Sequence, residues 1–404
     1  MRHIVIISIS ILLLSGLAFA QEDTLILLGS TEVGGYAVSA CNKHAFLADG
    51  GIRVINYSDP YNPDTVTRYT EPAHDIDIRE NLAYYVGDSL YIRDISNPLE
   101  SRQIGSCCYW GYSFRVHVFD TLALVTHTTA PQIVILRIID ISDPTDPQVL
   151  STNYPTGDGW WSRMDVWKKD NYVYWVDWAS DPETWYDVGQ ITVLDITDPT
   201  EPIPIVVDTC LPRAPTAIWI KDDYAYVSLD DYFAGPEVFN GGLIVLDVSD
   251  PYNIDSLGFF EIPGEACNVH IKGNFAYVSA EWDAVYVLDV TDPTNPTLVT
   301  YYDTPGTPRD VFVDEPYVLV VEHNSLLVFE ASFLSVPGDV NSDGIVNSSD
   351  IVYLIDYLFK NGSEPSDPNA ADVNFDCQIN SADVVYLIDY LFRGGPRPQY
   401  GCVS

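Results

Sequence analysis

Two short acidic segments near the C-terminus carry the most specific chemistry in the chain. Residues 339–350 read DVNSDGIVNSSD, and 33 residues later 372–383 read DVNFDCQINSAD. Oxygen-bearing side chains stand at the first, third, fifth, ninth and twelfth positions of both. At that spacing a twelve-residue loop can wrap a hard cation such as calcium in about six to eight oxygens, the seventh position adding its main-chain carbonyl. The expected ligands in the first loop are Asp339, Asn341, Asp343, the carbonyl of Ile345, Asn347 and Asp350. In the second they are Asp372, Asn374, Asp376, the carbonyl of Gln378, Asn380 and Asp383, so two calcium ions are expected. The sixth position makes a left-handed turn, free for Gly344 but costing about 1–2 kcal/mol for Cys377, so the second site is expected to be the weaker unless another constraint holds it. A disulfide from Cys377 to Cys402 would be such a constraint, since in the chain-entropy account closing a loop of about 25 residues contributes roughly 3 kcal/mol. Seven cysteines leave at least one without an intrachain partner, and Cys210 with Cys267 is a second, less supported pairing.

Each loop runs into the same apolar helix. Ile351, Leu354, Ile355, Leu358 and Phe359 form a stripe at spacings of three and four in the first, and Val384, Leu387, Ile388, Leu391 and Phe392 repeat it in the second. Gly362 and Gly394 follow where left-handed caps belong, and Lys360 and Arg393 lie near the negative helix ends. The two helices are expected to pack face to face. A calcium loop without an entering helix, Asp instead of Glu at the twelfth position, and a tandem copy over about 60 residues resemble the type I dockerin family. The resemblance implies a small α-helical domain with two EF-hand-like loops, folded by calcium and docked into a cohesin domain on an extracellular scaffold, as in assemblies that degrade plant polysaccharide. Family members often present Ser-Thr at the tenth and eleventh positions and a basic pair farther along. Here stand Ser348-Ser349 and Ser381-Ala382, then Ile355-Asp356 and Ile388-Asp389. Partner contacts are therefore expected at Ser348, Ser349, Ser381 and Ala382, with a specificity that departs from the family pattern. An intramolecular or surface-tethering use of the module is the alternative.

At the N-terminus, Arg2, an apolar run from Ile4 and small residues at Ala18 and Ala20 read as a signal peptide over residues 1–20, with the mature chain starting at Gln21. No later segment approaches the ~20 apolar residues of a membrane span. A secreted protein is expected, extracellular or held at a cell surface through a partner. The formal net charge of -39 argues against nucleic acid, anionic membranes and acidic polysaccharides as partners, which leaves neutral glycans and proteins.

The middle of the chain is punctuated by INYSDPYNP, IRDISNP, IIDISDPTDP, VLDITDPTEP, VLDVSDPYN and VLDVTDPTNP. Two alternating segments precede each, such as TAIWIKDDYAYVS, and a third follows, such as TLVTYYD. Period-two alternation of aromatic and β-branched residues gives strands, and Asp-Pro ends them. Four strands per repeat of about 40–45 residues describe propeller blades. Inner strands starting near Tyr36, His74, Phe114, Met164, Ala217, Asn268 and Asp310 make seven blades. The last has three strands of its own, so the N-terminal TLILLGSTEVGG is expected to complete it. The expected fold class is an all-β seven-bladed propeller over residues 21–335 followed by the dockerin over 336–404. The repeat resembles the LVIVD family of bacterial propellers over nearly all of residues 24–335, a membership that implies no single activity.

Insertions in blades three to five place aromatics on loops that leave one face: Tyr109, Trp110, Trp160, Trp161, Trp178, Trp185, Tyr186, Tyr232 and Phe233, with Trp282 nearby. Such rings on a rigid scaffold suit stacking on sugars; packing of the loops onto the propeller is the alternative. His74, His117, His127, His270 and His323 lack metal-site spacing and are read as structural or solvated, some near the central channel. Asp165, Asp177, Asp231, Glu281 and Asp283 are candidates for a glycosidase carboxylate pair, a chemistry decided by separation. Catalytic residues stay unassigned. The favoured function is a noncatalytic propeller that recognises an extracellular glycan or protein and docks to a cohesin-type scaffold. The alternatives are a carbohydrate-active O-glycosyl hydrolase or lyase in polysaccharide catabolism, and a structural or adhesion protein.

Chelation is expected to unfold residues 338–395 and spare the propeller, because uncompensated ligand carboxylates repel one another. A chelator titration that leaves the helical circular dichroism of the isolated module unchanged would contradict calcium-coupled folding.

Overall fold

The structure is a computed structural model that describes residues 25–108, 112–129, 133–154, 164–180, 187–230, 240–281, 284–331, 337–341, 345–360, 362–365 and 368–398. Among these residues the strands form seven antiparallel four-stranded sheets. Their inner strands are Ala37–Cys41, Asp75–Arg79, Tyr112–Phe119, Asp165–Lys169, Ala214–Lys221, Glu265–Lys272 and Pro308–Asp314, counted here as blades one to seven. Six blades use four consecutive strands. In the seventh, Leu25–Thr31 lies outside Leu326–Ala331, so the first strand of the chain completes the last blade, as expected. Its register runs from Leu25 opposite Ala331 to Thr31 opposite Leu326, with a bulge between Leu27 and Gly29. A Cβ at Gly29 would sit 2.4 Å from the carbonyl oxygen of Pro60 in blade one, so glycine is what lets the two blades close up.

Middle strands read as near-continuous apolar runs because neighbouring blades cover both faces. Phe46 and Val54 of blade one pack with Ile76 and Tyr85 of blade two, and Leu47 and Ile55 meet Leu319 and Val328 across the closing interface. The repeated segment that leads into each Asp-Pro or Asn-Pro is a stitch. Asp94, Asp140, Asp195 and Asp289 end third strands, Asp247 lies three residues before the end of its own, and all five accept the N–H two residues on at 2.8–3.0 Å. The intervening residue, Ile95, Ile141, Ile196, Val248 or Val290, donates its N–H at 2.8 Å to the turn between the first two strands of the same blade. Those turns pass through left-handed residues at Glu80, Asp120, Asp170, Asp222 and Gly273.

The C-terminal region holds helices α1 (Ser348–Lys360), α2 (Pro368–Ala371) and α3 (Ser381–Arg393). Among the described residues no helix is long and apolar enough to cross a membrane. Leu354 and Leu387 are fully buried in a cluster with Val340, Ile351, Val373 and Val384, which packs α1 on α3. Two expectations need correction. Phe359 and Phe392 do not join the stripe; they are 65% and 67% exposed. Eight residues past Ile351 or Val384, a helix has turned about 80° away from the starting direction, beside exposed Val352 and Val385. The left-handed cap is Gly394, but Gly362 corresponds to Gly395, one residue beyond the cap: their N–H groups donate to Asp356 and Asp389 carbonyls at 2.9 Å.

Deleting residues 24–32 is expected to lower the thermal midpoint of the whole propeller, because blade seven then exposes Leu326–Ala331 as a raw edge. Unchanged thermal unfolding of the truncation would contradict this closure.

Candidate functional site

Asp350, Asp372 and Asp383 are fully buried and Asp339 nearly so, a density of carboxylates that a small domain does not bury without compensation. In loop one, Asp350 Oδ1 accepts the N–H groups of Val340 and Asn341 and Oδ2 that of Asn347 at 2.8 Å. In loop two, Asp372 accepts from Asp376 and Cys377, and Asp376 Oδ1 accepts from Gln378. Asp383 Oδ2 caps α3 by accepting the Asn380 N–H at 2.8 Å, while Oδ1 is buried without an ordinary hydrogen bond. Burial first, and then the charges of Asp372 and Asp376, push the Asp383 carboxyl up. A divalent cation is what such a site lacks in charge, so the residues fit calcium. No three Asp, Glu, His or Cys among the described residues form a ready cage. Half of each expected ligand set is Asn or carbonyl oxygen, and Asp343 and Gly344 lie outside the described residues. Cys377 does adopt the left-handed turn, at φ 61°, and is disulfide-bonded; Cys402 is outside the described residues. Cys267 is a thiol, not a disulfide partner of Cys210, with its sulfur 3.5 Å from the Glu265 carbonyl. Ser348, Ser349, Ser381 and Ala382 are exposed in the first turns of α1 and α3.

The propeller's central channel is built in layers, one residue from each inner strand. At the waist, side chains of one blade accept backbone N–H groups of the next. Asp310 accepts from Val38 at 2.8 Å, Asp75 from Val116 at 2.7 Å and Asp165 from Ile218 at 3.0 Å. Asp165 also holds His117 Nε2 at 2.8 Å, and despite its own burial that pair raises the His117 pKa. A cavity of about 260 Å³ opens where the inner strands begin, lined by Tyr36, His74, Tyr112, Phe114 and Arg309. There Tyr112 stacks on His74 at 4.0 Å between ring centroids, and the Arg309 guanidinium lies 5.3 Å from the Tyr36 ring. His74 Nδ1 and Arg309 Nε are buried without hydrogen-bond partners. A second cavity, of about 310 Å³, occupies the strands' later half.

Of the aromatics expected on the loop face, Tyr109, Trp110, Trp160, Trp161, Trp185, Tyr186, Tyr232, Phe233 and Trp282 lie outside the described residues. Trp178 is placed within the strand Tyr172–Ser180 and is 8% exposed, so it packs instead of facing solvent. His74, His117 and His270 line the channel, whereas His127 is fully buried and accepts from Arg137 Nε at 3.0 Å. Among the carboxylates, Asp165 is committed to joining blades, Asp231 and Asp283 lie outside the described residues, and Asp177 is buried. The sequence does not single out Tyr36, Tyr112 or Arg309 as site residues. Aligning the seven inner strands on Asp75-Ile76, Asp165-Val166 and Asp310-Val311 would have placed them in rings.

Burial pushes Asp177 up to about 7 against the pull of Gln190. A raised carboxyl costs nothing while it stays protonated below its unfolded value of 3.8, and stability is lost as pH rises through about 7. Asp177→Asn is expected to stabilise the propeller by at most about 4 kcal/mol above neutral pH, with the gain vanishing in acid. A pH-independent difference in denaturant midpoints would contradict the assignment.

Residues 337–392 match the dockerin type I domain, and residues 72–107, 134–156, 213–255 and 263–304 match the LVIVD repeat. No curated protein matches the chain. Among solved structures, the WD40 β-propeller domain of Doa1 superposes with a TM-score of 0.58 at 10% identity, over 76% of this chain and 97% of that one. The computationally designed Ika8 protein superposes with a TM-score of 0.51 at 12% identity, over 76% of this chain and 99% of that one. Both likenesses concern the fold alone. Type I dockerin domains bind calcium and dock to cohesins. The chain is a seven-bladed LVIVD-repeat propeller followed by a type I dockerin domain.

Proposed function

We propose that this is a secreted recognition protein in which two calcium-loaded loops fix the dockerin to a cohesin-bearing scaffold and the propeller takes up a neutral extracellular glycan. The observation that carries the glycan reading is the mouth formed by Tyr36, His74, Tyr112 and Arg309. Tyr36 and Tyr112 are exposed aromatic platforms, and His74 Nδ1 and Arg309 Nε are buried polar atoms without partners. Sugar rings supply what both lack, since apolar C–H faces stack on aromatics and hydroxyls accept and donate hydrogen bonds. Chain direction supports the same division of labour. Leu326–Ala331 is a third strand, and Ala331 N–H donates to the Pro316 carbonyl in the turn after the inner strand, so the chain leaves the propeller on the face opposite this mouth. The exit of the chain at Ala331 and the ligand mouth are then on opposite faces. On the dockerin, exposed Val352 and Phe359 on α1, repeated as Val385 and Phe392 on α3, give apolar contact area beside Ser348, Ser349, Ser381 and Ala382. That arrangement supports docking through helix faces without the basic pair. Residues 1–20 act as the signal peptide in this reading, and the Cys377–Cys402 disulfide braces the second calcium loop.

The test is a screen of the calcium-loaded protein on neutral polysaccharides and oligosaccharides, scored for retention and for released sugar. Retention without product is expected, falling at least about tenfold, or about 1.4 kcal/mol, in Tyr112→Ala and in Arg309→Ala. Released sugar would make the protein an enzyme, and absence of retention would turn the search to protein partners.

A further inference from the structure

The mouth formed by Tyr36, His74, Tyr112 and Arg309 does not end at its own rim. On the same face a cavity of about 410 Å³ lies between blades six and seven, lined by Glu281, Thr307, Arg309, Glu322, His323 and Asn324. Glu281 ends the second strand of blade six. Thr307 directly precedes the inner strand of blade seven, and residues 323–325 join that blade's second and third strands. Two contacts tie this cavity to the mouth. Arg309 lines both, and Cys267 of the mouth has its sulfur 3.9 Å from a carboxylate oxygen of Glu281. At about 260 Å³ the mouth alone falls short of the roughly 300–1,000 Å³ usual for small-molecule sites, whereas its neighbour lies within that range.

The outer cavity suits neither sign of charge. Glu322 is buried, one carboxylate oxygen accepting the Gly306 N–H at 2.8 Å and the other the Ser325 hydroxyl, so its position is fixed. With Glu281 on the blade-six side, the two carboxylates repel an anion. Arg309, which has no ion pair and no side-chain hydrogen bond among the described residues, stands at the junction and repels a cation; its Nε is buried without an acceptor. The exposed side chains of His323 and Asn324 make no hydrogen bond among the described residues either. Fixed carboxylate acceptors, the guanidinium fork, an imidazole and an amide around one cavity match the mixed donors and acceptors of a neutral polyhydroxylated ring.

We propose that the two cavities are adjoining subsites of one groove that takes an oligosaccharide. One sugar ring stacks in the mouth on Tyr36 and Tyr112, the next lies between blades six and seven, and Arg309 donates to hydroxyls of both. This deepens the glycan reading and rests on it; what it adds is a length requirement and the residues that impose it. Calorimetric titration of the full calcium-loaded chain with neutral oligomers of glucose, mannose, xylose and galactose, one to four units long, tests the proposal. In a series that binds, affinity is expected to rise at least about tenfold from one unit to three. Tyr112→Ala weakens every length, whereas the double variant His323→Ala, Asn324→Ala removes only the rise. Both substituted residues are exposed in a turn, so the blade packing stays in place. Affinity that is flat with length, or a rise that survives the double substitution, would overturn the second subsite and leave the glycan reading standing. No binding of any oligomer up to roughly 10 mM would overturn both.

Discussion

A row of four-stranded sheets packed side by side ends in two unpaired edges, and the pairing of Leu25–Thr31 with Leu326–Ala331 is what turns that row into a ring. Closure juxtaposes blades seven and one, and the contact is made on both scales available. Leu47 and Ile55 bury against Leu319 and Val328, while Asp310 reaches across to the Val38 N–H. Without closure the inner strands would not converge, and the channel with its two mouths would not exist.

The channel shows how one repeated geometry yields unlike chemistry at its two ends. Every inner strand enters at one mouth and leaves at the other, so matching positions along the seven strands form successive rings. The entry ring holds Tyr36, His74 and Arg309, the waist holds the carboxylates that join blades, and the next ring holds Trp167, Trp219, His270 and Phe312. Carboxylates at the waist therefore serve architecture before any ligand. In an acidic protein that distinction matters, because Asp75, Asp165 and Asp310 lie beside a cavity and yet join blades.

The dockerin module was legible in the sequence because its acidic positions are contiguous and their spacing answers to one kind of ion. The blades were legible for a related reason: the Asp at or near the end of a third strand and the turn it caps lie within a few residues, so the stitch repeats as a written word. The channel mouths were not, since each takes one or two residues from strands some forty or fifty positions apart, and no local pattern marks them. Trp178 shows the complementary error. Its neighbours read as a loop, yet the strand continues to Ser180 and buries the ring. Phe359 and Phe392 fail by geometry alone, because a stripe drawn at spacings of three and four drifts around a helix over two turns.

The central claim is that a calcium-folded joint fastens a recognition propeller to a scaffold. It is tested most directly by measuring capture of the full chain on immobilised type I cohesin domains with calcium and again after chelation. The account predicts saturable capture in calcium, lost on chelation and restored when calcium is returned, with the propeller folded throughout. Capture that persists in chelator, or calcium-loaded protein that no cohesin retains, would contradict it.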